Sequence, residues 1–140
     1  SGSRYLDVHP ENDAPPADRQ SINRDITLEL NARLGLSLTD AFCGFKAYRI
    51  RACAPLDLKA DGYDFPMQFW VQAAAAELRI SELPVRLIYN DPSRTFGGPL
   101  DQADARRRHY LETLHGELRA CADRLPPMAV AGLMDAASKA

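Results

Sequence analysis

Apolar residues recur at helical spacing in three parts of the chain. In the first part an apolar side chain stands at every fourth position, which places these side chains on one face of a helix. These residues are Ile22, Ile26, Leu30 and Leu34. Gly35 follows them, where a left-handed C-terminal cap favours glycine. The pattern predicts a helix over about 19–34.

The second part, 65–78, is apolar on nearly all sides, so we expect a helix buried between other elements. Asp64 is placed to cap its N-terminus, and Pro66 is tolerated in a first turn that needs no N–H donor. The third helix is predicted to begin near Asp101 and to stop at Pro126. Its apolar stripe consists of Leu111, Leu114, Leu118, Cys121 and Leu125.

Two further stretches have the character of strands. Residues 42–48 are short and carry aromatic side chains around a glycine, which predicts a buried strand. Residues 80–89 approach a period of two. Pro84 interrupts them and has no N–H to donate to a ladder, so it predicts an edge or a bulge there.

Composition limits the classes of function. The chain has 140 residues, of which 46% are hydrophobic and 26% charged, as in one ordinary globular domain. A net charge of −2 gives no strongly basic face, so we expect no nucleic-acid partner. The three cysteines and three histidines lack the spacing of a disulfide framework or a metal site, and we expect reduced thiols. No apolar run reaches the roughly 18 residues that a membrane span requires.

Short blocks of sequence occur in a set order. Asp40–Arg49 reads Asp-Ala-Phe-Cys-Gly-Phe-Lys-Ala-Tyr-Arg, Gly62–Phe65 reads Gly-Tyr-Asp-Phe, and Glu82–Val85 reads Glu-Leu-Pro-Val. Ahead of them, Gly2–Tyr5 reads Gly-Ser-Arg-Tyr. In order and spacing these blocks resemble the C-terminal half of family 2 glycosyltransferases, of the kind that make dolichol- and polyprenyl-phosphate sugars. The resemblance covers about residues 2–100.

The resemblance implies an α/β fold, namely the C-terminal part of the three-layer GT-A fold of nucleotide-diphospho-sugar transferases, with a mixed sheet and flanking helices. It implies that residues 1–125 form the acceptor-side half of such a domain and that 126–140 form a tail or a short helix. The implied activity is hexosyl transfer like that of dolichyl-phosphate mannosyltransferases. A sugar would move with inversion from a nucleotide-sugar donor to an acceptor, for which a polyprenyl or dolichyl phosphate is expected.

In this family an N-terminal half binds the nucleotide, and an Asp-x-Asp motif there holds a divalent metal, Mg²⁺ or Mn²⁺. The chain contains neither that motif nor a glycine-rich phosphate loop after a strand, and no metal ligands are evident in it. We therefore expect the chain to be part of a longer enzyme and to be inactive alone, because the missing N-terminal half supplies the metal and the donor. Strands left unpaired by that half predict self-association as a homo-oligomer.

Arginines are the expected ligands of an acceptor phosphate, because the guanidinium fork binds phosphate through two parallel hydrogen bonds and stays charged. By position, the resemblance assigns acceptor-phosphate binding to Arg4, Arg19 and Ser21. A surface position at a strand end is the alternative for Arg4. The late loop, Ser93–Gly98, stands where the family closes on the diphosphate, with Arg94 as its cation and two glycines that allow it to act as a lid. A plain surface loop is the alternative.

Asp40 opens the central block and is the candidate catalytic residue. For a hydroxyl acceptor it is a candidate general base. For a phosphate acceptor, whose oxygen is already anionic, we expect it to orient sugar hydroxyls or arginine side chains. An aspartate between a helix and a strand also suits local bonding to the backbone, which is the structural alternative. Gln68 stands where many relatives have Glu, and it cannot act as a base.

We expect a cytoplasmic enzyme, peripheral at the cytoplasmic membrane face. The arginines at 106–108 begin an amphipathic helix that either contacts anionic lipid headgroups or, as we favour, packs against the domain. The alternative function is a non-catalytic α/β interaction or regulatory module, which the glutamine at 68 and the altered late loop motivate. A hydrolase has the least support, since the chain has no Gly-x-Ser-x-Gly and no close carboxylate pair.

Overall fold

A computed structural model describes residues 1–91 and 93–133. In this structure helix α1 spans Ala17–Leu34. It confirms the helix predicted from the apolar stripe, with a start at Ala17 instead of 19. Gly35 ends the helix with a φ of 65°, and its N–H donates to the carbonyl of Asn31 at 2.9 Å. This left-handed conformation is the one that favours glycine over other residues.

A single helical turn, α2, spans Ile50–Cys53, and the buried helix predicted over 65–78 is α3, Phe65–Ala75. Helix α3 ends earlier than predicted because Glu77 takes a φ of 53°. The N–H of Leu78 then turns back to the carbonyl of Ala73 at 2.9 Å. A non-glycine residue with positive φ breaks the helical hydrogen-bond sequence, which the apolar pattern alone does not reveal.

The third predicted helix is α4, Ala103–Ala120. A 3-10 turn follows over Ala122–Arg124, and α5 spans Pro127–Val130 within the predicted tail. Residues 134–140 of that tail lie outside the described residues. None of the helices described combines the length and apolarity needed to cross a bilayer. Helices α1, α3 and α4 pack around one core, whose most deeply buried large side chains include Trp70, Ile26, Leu30, Met67, Leu114 and Leu118.

The predicted cap of α3 by the side chain of Asp64 is wrong. Asp64 does precede the helix, but its carboxylate accepts no hydrogen bond from the first turn. It accepts one from the hydroxyl of Thr113 at 2.8 Å instead, and lies 3.5 Å from Nε2 of His109. The carboxylate therefore connects α3 to α4.

In the described residues, β1, Gly2–Ser3, and β2, Leu83–Pro84, form a two-stranded parallel sheet. The strand predicted over 80–89 is thus reduced to its centre. Beyond β2 the backbone bonds to a loop side chain, since the N–H of Leu87 donates to Oδ1 of Asn12 at 2.9 Å. A side chain that takes the place of a neighbouring strand ends the ladder there.

The strand predicted over 42–48 is wrong. In the described part of the chain this stretch forms no ladder, and its backbone bond to the sheet is the N–H of Gly2 to the carbonyl of Phe45, at 2.7 Å. A strand exists only through its neighbours, and this stretch meets only the short β1. The three-layer GT-A fold with a mixed sheet stays a prediction.

Candidate functional site

Asp40 holds the side chain of Arg4 through a fork of two hydrogen bonds. Nε of Arg4 lies 2.6 Å from Oδ2, and Nη2 lies 2.8 Å from Oδ1. The backbone N–H of Arg4 donates to Oδ2 as well, at 3.1 Å. Asp40 is fully buried, whereas the side chain of Arg4 keeps 25% of its surface exposed. The pair therefore presents one guanidinium to solvent in a fixed orientation.

The remaining lone pairs of Asp40 are also occupied. Oδ1 accepts from Nδ2 of Asn23 at 2.8 Å and from the backbone N–H of Phe42 at 3.2 Å. Each carboxylate oxygen thus accepts at least two hydrogen bonds, which is the capacity of its lone pairs. The arrangement matches the orienting role expected with a phosphate acceptor, and the catalytic role of Asp40 stays a prediction.

The pairing of Asp40 and Arg4 stabilises the charge of both groups. Burial acts to raise the pKa of Asp40, but the hydrogen bonds and charge of Arg4, with help from Asn23, hold that pKa below its ordinary value. For Arg4 burial acts to lower the pKa, and Asp40 more than reverses this, so the pKa of Arg4 is raised. Both side chains are therefore charged at neutral pH.

Glu82 fixes the start of the Asp40 block. Its Oε2 accepts the N–H and the hydroxyl of Thr39, at 2.8 and 2.7 Å, and its Oε1 accepts the N–H of Asp40 at 3.1 Å. The hydroxyl of Thr39 lies 2.5 Å from that of Ser3 in β1. One hydrogen-bond network therefore joins three of the sequence blocks, and Arg4 follows directly after Ser3.

Arg4 lines a cleft of about 760 Å³, which we call the arginine cleft. Five arginine side chains line it: Arg4, Arg19, Arg86, Arg94 and Arg106. In the part of the chain that the structure describes, Asp91 is the acidic residue of the lining. A concave surface with this excess of cations suits an anionic ligand such as a phosphate.

Three of the five arginines pair with carboxylates. These pairs are Arg4 with Asp40, Arg86 with Glu11 at 3.0 Å, and Arg106 with Asp18. Within the described ranges, Arg19 and Arg94 have no carboxylate at ion-pair distance, and Nη1 of Arg4 takes no part in the fork with Asp40. Arg4, Arg19 and Arg94 therefore offer the N–H donors that a phosphate in the cleft would meet.

The ring of Phe96 attaches the late loop to the walls of the cleft. The guanidinium carbon of Arg106 lies 4.3 Å from the ring centroid, and that of Arg19 lies 4.7 Å from it, both at cation–π distance. The ring of Tyr63 meets Phe96 edge-on at 4.9 Å. Arg19 also donates through Nη2 to the carbonyl of Arg94 at 2.7 Å. The late loop is thus held against α1 and α4.

Of the two roles weighed for the arginines at 106–108, packing against the domain is confirmed for Arg106, whereas Arg107 is itself exposed and reaches α1 through an ion pair. Arg106 is 2% exposed and donates to the carbonyl of Leu100 at 2.8 Å. Arg107 pairs with Asp25 on α1 at 2.6 Å. Arg108 is exposed.

The arginine cleft brings together three of the four residues predicted to bind phosphate or to close the lid. Arg4, Arg19 and Arg94 line it. Ser21 is half-buried on α1 and is not a lining residue. The binding role of each of these residues stays a prediction.

Gln68 is occupied by structural contacts. Its Oε1 accepts the N–H groups of Lys59 and Ala60, at 2.6 and 2.8 Å, and its Nε2 donates to Oε1 of Glu117 at 2.6 Å. The amide therefore fixes the loop before α3 and bridges it to α4. A glutamate here would place a second carboxylate against Glu117.

Within residues 1–91 and 93–133, no group of three or more His, Cys, Asp or Glu side chains is arranged to hold a metal ion. These residues do not fit a divalent metal. The Mg²⁺ or Mn²⁺ expected in the longer enzyme stays a prediction.

Sequence reasoning missed two residues that support the Asp40–Arg4 pair, Asn23 and Glu82. For Asn23 a signal exists, because it lies one helical turn before Thr27, and two buried polar residues beside an apolar stripe are unusual. Their side chains bond to each other at 3.0 Å, and Thr27 also accepts the N–H of Ala41 at 3.2 Å. Glu82 opens the Glu-Leu-Pro-Val block, but that motif does not reveal its role, since its partners are distant in sequence.

Among curated proteins, the chain is 31% identical over 93 residues to the undecaprenyl-phosphate mannosyltransferase of Micrococcus luteus. The match includes 63% of this chain and 38% of that relative's length, so the chain spans well under half of the relative. No family model matches the chain. No solved structure matches it either. The similarity supports a distant relationship to a polyprenyl-phosphate glycosyltransferase, which is the coarse part of the resemblance seen in the motifs.

Proposed function

We propose that the chain carries the acceptor-binding part of a family 2 glycosyltransferase that moves a sugar from a nucleotide-sugar donor to a polyprenyl phosphate. The arginine cleft carries this proposal, because Arg4, Arg19 and Arg94 offer phosphate donors within one concave surface. The distant relationship to an undecaprenyl-phosphate mannosyltransferase supports the same class of enzyme.

The cleft also has the apolar surface that an isoprenoid stem requires. Ile22, Phe42, Leu87 and Tyr110 line it beside the arginines. A ligand with a phosphate at one end and a hydrocarbon chain at the other matches both kinds of wall.

In the proposed reaction an acceptor phosphate oxygen attacks the anomeric carbon of the donor sugar. The new C–O bond forms on one face of that carbon while the bond to the nucleoside diphosphate breaks on the other, so the configuration inverts. The attacking oxygen is already anionic near neutral pH, so the step needs no general base. The arginines hold the phosphate in line, and Asp40 is a positioning residue that fixes Arg4.

Calorimetric titration with farnesyl phosphate, a short isoprenyl phosphate, tests the proposal. We expect saturable binding to the 140-residue chain and much weaker binding of farnesol, which lacks the phosphate. Arg19→Ala and Arg94→Ala should each weaken binding about tenfold or more, because a hydrogen bond to a charged group contributes roughly 1.5–3 kcal/mol. Arg108→Ala is the matched control, since Arg108 is exposed on α4 and does not line the cleft.

Equal affinity for farnesol and farnesyl phosphate would contradict a phosphate site. A wild-type chain that binds neither would favour the non-catalytic interaction module. Sugar transfer from a nucleotide sugar by these 140 residues alone would contradict the proposal that the donor is bound by another part of the enzyme.

A further inference from the structure

A second groove, of about 610 Å³, shares no lining residue with the arginine cleft. Its apolar lining includes the fully buried Trp70 together with Phe69, Ala73 and Ile80. Nζ of Lys46 lies 5.2 Å from the centroid of the Trp70 ring. The groove thus combines an apolar floor with a cation at its edge.

Large apolar side chains stand exposed in and beside this groove. Tyr48 and Leu83 line it and are 46% and 67% exposed. Phe45 and Ile50, adjacent in sequence to the lining residues Lys46 and Arg49, are 74% and 83% exposed. Apolar residues gathered in this way, in contrast to single scattered ones, mark a surface that meets a partner or a membrane.

The exposed apolar side chains alternate with cations along the chain. Phe45 is followed by Lys46, Tyr48 by Arg49, and Ile50 by Arg51. Arg79 adds a fourth cation from the opposite wall of the groove. In the described part of the chain none of these four cations is in an ion pair, and Glu77 is the acid of the lining. Lys46 is half-buried and donates to the carbonyl of Cys43, so the exposed cations are Arg49, Arg51 and Arg79. We call this surface, made of residues 45–51, Arg79 and Leu83, the basic apolar face.

We propose that the basic apolar face docks on an anionic lipid surface. Its cations complement the negative charge of the headgroups, and long Lys and Arg side chains reach headgroups while neighbouring apolar side chains enter the acyl boundary. A second copy of the chain does not fit, because two such faces would bring like charges together. The proposal does not rest on the proposed function, since it requires no polyprenyl phosphate.

The lipid surface accounts for the protruding side chains better than an acidic protein partner does. A protein partner would need a matched pocket for each of the apolar side chains, whereas the interfacial region of a bilayer accepts apolar side chains of any shape. Three cations and three large apolar residues lie within one seven-residue stretch, 45–51, a combination that suits the boundary between headgroup and acyl layers.

Cosedimentation with vesicles tests the proposal. We expect the chain to bind vesicles made of equal parts phosphatidylglycerol and phosphatidylcholine, free of polyprenyl phosphate, and not to bind vesicles of phosphatidylcholine alone. Raising the ionic strength from about 0.1 M to about 1 M shortens the screening length from about 10 Å to about 3 Å and should weaken the binding strongly. Each cation near the surface contributes roughly fivefold, so Arg49→Ser with Arg79→Ser should weaken it about 30-fold. Phe45→Ser should weaken binding while leaving its dependence on salt in place.

Arg24→Ser with Arg108→Ser is the matched control, because it removes the same charge from exposed positions on α1 and α4. Binding unchanged in this control and lost in the Arg49 and Arg79 variant supports the proposal. If vesicle binding is lost in the control but retained in the Arg49 and Arg79 variant, the membrane contact lies on the helices, and the proposal is overturned. Failure of the wild-type chain to bind anionic vesicles, or equal binding to neutral ones, would also overturn it. Circular dichroism of each variant confirms that the fold persists.

Discussion

The carboxylate of Glu82 accepts a hydrogen bond from the backbone N–H of Asp40 at 3.1 Å, across 42 residues of sequence. Asp40 in turn holds Arg4, so Glu82 influences the arginine cleft without lining it. The Glu-Leu-Pro-Val block thus supports the site through the position of the backbone, and no ligand contact is needed to explain a carboxylate there.

Glu82→Gln tests this support. In the glutamine side chain an NH₂ group replaces one of the two carboxylate oxygens. The backbone N–H of Thr39 or of Asp40, which now donates to that oxygen, then faces another donor and loses its partner. We expect the free energy of unfolding to fall by about 1–3 kcal/mol in urea titrations. Glu112→Gln, an exposed position on α4, should leave stability unchanged. Equal stability of the two variants would count against the network.

Asp40→Asn keeps the shape of the side chain and removes its charge. We expect a loss of stability of the order of 3 kcal/mol, because breaking a buried ion pair leaves the remaining charge uncompensated. A double-mutant cycle with Arg4→Met should give a coupling free energy of about 0.5–3 kcal/mol between the two positions. Additive effects in that cycle would show that the fork contributes no net stability.

Asp40 should also make stability sensitive to acid. The pKa of Asp40 in the fold lies below the ordinary value of 3.8, so the unfolded chain takes up this proton at a higher pH than the folded chain does. The stabilisation is therefore present above the unfolded pKa and is lost as the pH falls through the folded pKa. In urea titrations over a pH series, the stability difference between wild type and Asp40→Asn should shrink below pH 3.8. A stability difference between wild type and Asp40→Asn that grows on acidification would contradict a lowered pKa of Asp40.

Gln68→Glu should destabilise the chain. The new carboxylate would face Glu117, whose Oε1 now accepts a hydrogen bond from the Gln68 amide at 2.6 Å. We expect a loss of about 1–3 kcal/mol in unfolding free energy near neutral pH. Adding Glu117→Gln should restore much of it, because the donor and acceptor then exchange places. A second substitution that deepens the loss would argue that the charge of Glu117 has a separate role.

Phe96→Ala should release the late loop. The Phe96 ring contributes one aromatic pair and two cation–π contacts, together of the order of 1–2 kcal/mol. Limited trypsin digestion should therefore cleave after Arg94 about tenfold faster in this variant. Phe45→Ala, which truncates an exposed ring elsewhere, should not change the rate at Arg94. Equal rates in all three proteins would mean that the ring does not hold the loop.

The three long helices followed from the sequence, whereas one predicted strand is absent and the other is shortened to β2, for one physical reason. A helix satisfies its own backbone, so the apolar spacing that defines α1 and α4 also locates them. A strand depends on its neighbours. The stretch 42–48 has an apolar, aromatic composition, yet it meets the described sheet through one backbone bond of Phe45.

The candidate site was predicted in part for a similar reason. The motifs predicted Arg4, Arg19 and Arg94, and the fold brings these together in one cleft. Ser21, which is half-buried on α1, is not among the lining residues, and its binding role stays a prediction. The supporting residue Asn23 is defined by contacts that form only when the chain is folded.

Trp70 is the single tryptophan of the chain, and its indole N–H donates to the carbonyl of Ala41 at 2.8 Å. Ala41 adjoins Asp40, while the ring itself lies beneath the ammonium of Lys46 on the basic apolar face. One chromophore therefore touches the supports of both surfaces. We expect a ligand at the cleft, acting through Asp40 and Ala41, or a membrane at the face, acting through Lys46, to alter the surroundings of the same indole, so the ultraviolet emission of the unlabelled chain should serve as an internal optical probe for both events.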